Sequence, residues 1–201
     1  MLTSITPLGE RSRGSRWGTT VVAFLVGSLL AGSALGAATG ALGELVGLGS
    51  VAAAWRLGLL ALALWIGLIL DLGVAGARLP TPRRQVNEEW LHAYRGWVYG
   101  LLFGGQLGLG LVTVATASAI YLTFCASLLS ASPVAGAAIG GTFGLVRWAT
   151  LLPAGSVTSP ARLVALAGRL ARIEPAARSG GLAAQAILAG VGALTVVMAT
   201  T

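Results

Sequence analysis

The chain has 201 residues, 56% of them hydrophobic and 9% charged, where a water-soluble globular domain would carry about a quarter as charges. These proportions exclude a soluble globular protein and describe an integral membrane protein. The net charge of +7 rests on 13 arginines and no lysine. Arginine collects beside the cytoplasmic ends of membrane helices, and with no basic, aromatic-interleaved domain outside the membrane, no nucleic-acid partner is expected.

Residues 1–16 are polar and carry Arg11, Arg13 and Arg16, which predicts a cytoplasmic tail. Residues 17–201 then read as a single membrane domain. Its first apolar stretch, about 17–49, far exceeds the roughly 7–15 residues of a signal-peptide core and is expected to stay as a span. Within it Gly32, Gly36 and Gly40 recur every fourth residue, a pattern that lets a second helix approach backbone to backbone. Glu44 and Ser50 mark an external turn. The second span, about 51–77, has Trp55 and Arg56 at its outer end. Asp71 is its interior charge, roughly 10 Å of helix from the cytoplasmic end at Arg78.

The loop after Arg78 leads into a short helix over about 87–96, which Asn87 can cap and whose dipole Glu88 and Glu89 favour. Trp90, Tyr94 and Trp97 share one face of it as an aromatic anchor, so the helix is expected to lie on the membrane. Residues 97–132 follow without a charge. As one helix they would be roughly 54 Å long against a hydrocarbon core of about 30 Å, which calls for a strongly tilted or broken span. Gly104, Gly105, Gly108 and Gly110 are its natural place for bending or close contact. A return span over about 134–152 repeats the glycine pattern at Gly136, Gly140 and Gly144 and carries Arg147 at a depth close to that of Asp71.

Ser159 and Pro160 start a helix over about 160–173, with Leu163, Leu166, Leu170 and Ile173 on one face and Arg162, Arg169 and Arg172 on another. That amphipathic pattern predicts a second interfacial helix, ended by Pro175, before a fifth span at about 181–199. Eleven of the 13 arginines then fall in cytoplasmic segments. A faint internal repeat, offset by 78 residues, aligns Gly27, Ser28, Leu29 and Gly32 with Gly105, Gln106, Leu107 and Gly110. Both halves would begin inside, which makes the repeat parallel.

Three groups of residues could carry chemistry. Gln106, Thr113, Thr116, Thr123, Ser127 and Ser130 keep to one helical face. That face is either a solute path, where amide and hydroxyl groups replace water, or a packing seam whose hydroxyls bond back to their own helix. Asp71 and Arg147 are expected to form an intramembrane charge pair, acting as a cytoplasmic-side gate or as a structural contact. Glu89 and His92 have the spacing of bundle metal ligands, but with no second histidine a solvated face is expected and no metal site. The lone Cys125 excludes an internal disulfide or a two-thiol relay, and no base lies within sequence reach of it. No phosphate-binding motif, catalytic triad or paired carboxylates occur. Neither catalysis nor a cofactor is expected.

The run Gly100-Leu-Leu-Phe-Gly-Gly-Gln-Leu-Gly-Leu-Gly, with Gly144-Leu-Val-Arg-Trp on the next span, resembles the glycine-rich helices of the membrane electron carriers of cytochrome c biogenesis and the related small-solute exporters. The resemblance covers about a quarter of the chain. Those carriers use a cysteine beside proline in each of two inverted repeats. Here 17–49 has no cysteine, Cys125 has no adjacent proline and the halves read as parallel. The resemblance therefore implies the exporter side of that group and no thiol-mediated electron transfer.

The expected fold is all-α, a polytopic membrane protein of about five spans and two interfacial helices. The leading expectation for function is passage of a small solute or ion across a bacterial inner membrane along the Gln106 to Ser130 face. Alternating access would come from rocking at the glycine seams. The alternative is a non-catalytic structural or accessory subunit of a larger membrane complex. Its glycine faces would then bind partner chains, a second copy or lipid.

Overall fold

The computed structural model describes residues 5–73, 94–110 and 118–200, the side chains of the last two excepted. Thr113, Thr116, Glu89, His92 and most of the helix expected over about 87–96 lie outside the described residues. Those described form an all-α membrane protein: α1 (Pro7–Ser12), α2 (Trp17–Leu45), α3 (Ala53–Asp71), α4 (Gly96–Gly108), α5 (Ala119–Ser130), α6 (Pro133–Ala149) and α7 (Pro160–Thr200). Four stretches, Trp17–Leu45, Ala53–Asp71, Pro133–Ser156 and Pro160–Met198, are long and apolar enough to cross a bilayer.

One stretch takes an expected alternative and one boundary differs. The uncharged stretch 97–132 is not one continuous helix: α4 ends at Gly108, followed by Gly110 at φ +65°, and α5 starts at Ala119. A left-handed glycine just past the last turn is a common helix stop, because it turns the chain without a Cβ clash. Pro175, in turn, does not end a helix. It lies inside α7, so the expected interfacial helix and fifth span are one element of 41 residues. A proline deletes a single helical hydrogen bond, and the turns on either side, rich in Ala and Leu, carry the helix through. Leu163, Leu166 and Leu170 are half-buried along it while the arginines are exposed.

The chain divides into two compact units. The first comprises Met1–Gly32, Arg84–Thr113 and Gly141–Pro175. Its core is Ile5, Phe24, Tyr99, Phe103 and Leu151, with Trp17, Leu107 and Trp148 against it. Here α4 lies on the first part of α2 through glycines spaced by four. A methyl group on Gly104 would stand 2.1 Å from the Phe24 carbonyl oxygen, and one on Gly108 2.5 Å from that of Ser28. On α6, Gly144 meets the same residue: Ser28 Oγ donates to the Gly144 carbonyl at 2.8 Å. The N-terminal segment, expected as a polar tail, is part of this unit. Thr6 caps α1 by accepting from Gly9 N at 3.1 Å, Leu8 N donates to the Val157 carbonyl, and Ile5, Thr6 and Glu10 are buried.

The second unit comprises Ser33–Arg83, Val114–Gly140 and Ala176–Thr201. The later part of α2 meets α6 here with no side chain between them. A Cβ on Gly36 would be 2.1 Å from the Gly136 carbonyl oxygen, one on Gly136 2.2 Å from that of Gly36, and one on Gly40 2.3 Å from that of Ser132. Such approach lets two backbones gain dispersion contact where lipid offers no hydrophobic drive between helices. α3 packs along α5. The outer faces of α3 and α7 expose Leu62, Trp65, Ile66, Ile187, Leu194 and Val197, as lipid-facing helices do.

Candidate functional site

The polar groups of the second unit converge on the start of α5. Asp71, the last residue of α3, turns its carboxylate onto Ser118: Ser118 N donates to Oδ1 at 2.8 Å and to Oδ2 at 3.2 Å, and Ser118 Oγ donates to Oδ2 at 2.7 Å. The negative charge thus sits on the positive end of the α5 dipole, with its oxygens engaged by the amide and hydroxyl of the residue that opens the helix. Gln185 of α7 donates from Nε2 to the Leu64 carbonyl at 2.9 Å and to Ser118 Oγ at 3.2 Å. Gly67 makes room for this, since a Cβ there would lie 2.7 Å from Ser118 Oγ and 2.9 Å from Gln185 Nε2. Arg178 donates to the Asp71 backbone carbonyl at 3.2 Å.

At the other end of α5, Arg56 Nη1 donates to the carbonyls of Leu129 at 3.2 Å and Ser130 at 3.1 Å. These belong to the last turn, whose carbonyls lack helical partners and carry the negative end of the dipole. The two charges of α3 therefore bracket α5. Arg56, expected at an outer interface, is part of the same structural device as Asp71.

Asp71 and Arg147, expected as a pair, belong to different units. Asp71 is engaged by Ser118, and the Arg147 guanidinium lies 5.2 Å over the ring of Phe143, each within its own unit. Depth along a helix specifies one coordinate only, and the start of α5 supplies the donors that engage the carboxylate. Of the polar stripe, Thr123 donates to the Ala119 carbonyl at 2.8 Å, Ser127 to that of Thr123 at 2.9 Å and Ser130 to that of Ser127 at 2.7 Å. All three hydroxyls bond back to their own helix. Gln106 belongs to α4 in the first unit, where its buried Oε1 has no hydrogen-bond partner among the described residues.

A groove of about 550 Å³ runs beside this network, walled by Leu57, Leu64, Leu122 and Leu188 among other apolar side chains. Its polar members Thr123, Gln185 and Thr195 all donate to protein groups, Thr195 to the Gly192 carbonyl at 2.7 Å. The lining suits an acyl chain or an apolar helix face better than a hydrated solute.

A second buried polar cluster lies in the first unit. Glu10 is fully buried and accepts from Arg13 Nη2 at 2.7 Å, from Thr20 Oγ1 at 2.8 Å and from the Tyr99 hydroxyl. Arg13 also stacks over Tyr99 at 5.6 Å. A carboxylate enclosed this way ties the N-terminal segment to α2 and α4, and three donors offset its desolvation. Glu10 escaped notice in a segment read as solvated; its signal was to be one of only six acidic residues, three positions from Arg13. Ser118 and Gln185 were also missed. Gln185 carried the better clue, an amide within an otherwise apolar stretch, whose donors must find partners in lipid. Among the described residues no group of three or more His, Cys, Asp or Glu could hold a metal ion.

No family model matches the chain, and no solved structure matches it. The chain is similar to methylamine utilization protein MauF. MauF of Paracoccus versutus is 33% identical over 156 residues, covering 72% of this chain and 54% of the relative. MauF of Methylophilus methylotrophus is 30% identical over 148 residues, covering 73% and 52%. The chain thus spans about half the length of the MauF proteins it matches. Their name is not that of the cytochrome c biogenesis carriers.

Proposed function

We propose that this chain is a non-catalytic accessory protein of a bacterial inner membrane, its N-terminus cytoplasmic, serving methylamine utilization as its relatives are named to do. The observation that carries this reading is the use of Asp71 and Arg56: both are engaged at the ends of α5, which favours a structural role over that of a gate. The back-bonded hydroxyls of Thr123, Ser127 and Ser130 support it further, since a solute path needs such groups free to replace water. An accessory role also suits a protein whose outer surface is broadly apolar.

Two measurements test the proposal together. Extraction of native membranes in mild detergent, with the chain tagged, should recover partners among the other products of methylamine utilization, and deletion should impair growth on methylamine. A deletion strain that grows on methylamine like its parent removes the pathway. Vigorous solute flux through proteoliposomes of the chain alone, abolished by Asp71→Asn, would restore the conduit.

A further inference from the structure

A cleft of about 710 Å³ in the first unit is lined by Arg13, Arg16 and Arg95, with Thr19, Tyr94 and Trp97 around them. Among the described residues no carboxylate lines it. Glu10 pairs with Arg13 at 2.7 Å from its buried position. Arg16 and Arg95 are exposed, and among the described residues neither has a carboxylate partner. Among the described residues, three guanidinium groups meet one carboxylate there, an excess of positive charge. Repulsion between like charges around one cleft is relieved by a shared anion.

The backbone adds to that potential. Arg16 immediately precedes α2, and Arg95 is the N-cap of α4, whose first turn receives no side-chain cap. Gly96 brings the two helix starts together, since a Cβ on it would lie 2.9 Å from Ser15 and Thr20 side-chain atoms. Guanidinium forks match the oxygens of phosphate, which has enough of them to engage more than one fork at once. Tyr94 and Trp97 are 50% and 52% exposed at the head of α4, the placement of aromatic side chains at headgroup level.

We infer that this cleft binds a phosphate group through Arg13, Arg16 and Arg95. The group is carried by an anionic phospholipid headgroup or by free phosphate, and the inference stands independently of the proposed pathway. Native mass spectrometry of the full chain in detergent, titrated with phosphatidylglycerol or phosphatidylcholine, tests it with Arg16→Gln/Arg95→Gln and, as a control of equal charge loss elsewhere, Arg169→Gln/Arg172→Gln. The wild type should retain phosphatidylglycerol over phosphatidylcholine. The cleft variant should lose that preference by roughly thirtyfold, about fivefold for each charge removed, while the control keeps it. Inorganic phosphate at millimolar concentration then separates the sources. Displacement of the lipid adduct assigns a site open to free phosphate, and retention assigns the lipid headgroup; either supports a phosphate site. Lipid adducts and a response to inorganic phosphate that are unchanged in the cleft variant, or equal losses in the two variants, overturn it. The four substituted arginines are exposed, so folding is not at stake.

Discussion

Arg56 and Asp71 stand at opposite ends of α3 and hold opposite ends of α5, the cation on the last-turn carbonyls and the carboxylate on the Ser118 amide. Fifteen residues separate them along α3, about 22 Å of helix, against about 18 Å for the 12 residues of α5. The match lets a helix too short to span a bilayer keep its ends satisfied. In lipid, where water does not reach those groups, each unsatisfied one would cost several kcal/mol.

That geometry predicts a particular response to charge exchange. Asp71→Asn keeps a hydrogen-bond acceptor and should destabilise by about 1 kcal/mol, whereas Asp71→Leu leaves the Ser118 donors bare and should cost about 2–3 kcal/mol. The exchange Arg56→Asp with Asp71→Arg preserves net charge but opposes the α5 dipole at both ends. It should be worse than either neutral single variant in thermal unfolding in detergent. Wild-type stability of the exchange variant would mean that the dipole plays no part.

Backbone contact between α2 and α6 predicts a second asymmetry. Gly36→Ala would place a methyl 2.1 Å from the Gly136 carbonyl oxygen, and forcing the helices apart should cost about 2 kcal/mol or more. Gly168 lies inside α7 with nothing within 4 Å of a Cβ. Gly168→Ala should therefore stabilise by about 0.5–1 kcal/mol through helix propensity alone. Paired melting temperatures check both signs.

Burial of Glu10 predicts protection of the N-terminal segment. Trypsin acting on the purified protein should cut slowly after Arg11 and Arg13, because α1 is docked through the Glu10 network. Tyr99→Phe removes one charge-assisted bond, worth about 1.5–3 kcal/mol, and should raise that cleavage rate severalfold. Unchanged cleavage in Tyr99→Phe and Glu10→Ala alike would show that the segment is held by other contacts.

For the stripe on α5, the bonding of each hydroxyl to its own helix predicts tolerance. Thr123→Val and Ser127→Ala together should shift stability by no more than about 1 kcal/mol, since only back-bonds are lost. They should also leave growth on methylamine unchanged. A growth defect with intact folding would argue for a solute-facing role.

Much of this was written in one dimension. Hydropathy alone established an all-α membrane protein, placed long spans at about 17–49 and 51–77, within which Trp17–Leu45 and Ala53–Asp71 are helical, and singled out Asp71 as a charge in need of a partner. The glycine repeats were legible as candidate packing surfaces, and the length of 97–132 called for tilt or a break. Such properties follow from the chain's own solubility in lipid and from helix geometry, which each segment carries with it.

Partner choice does not. Asp71 met the start of α5 at Ser118, Arg56 met the far end of that helix, and Glu10 was drawn inward by Thr20 and Tyr99, the latter 89 residues away. Pro175 was carried through because neighbouring turns outweighed one missing bond. Each outcome is a competition among groups brought together from distant positions. Local pattern sets which groups must be satisfied, and the packing of helices decides by what.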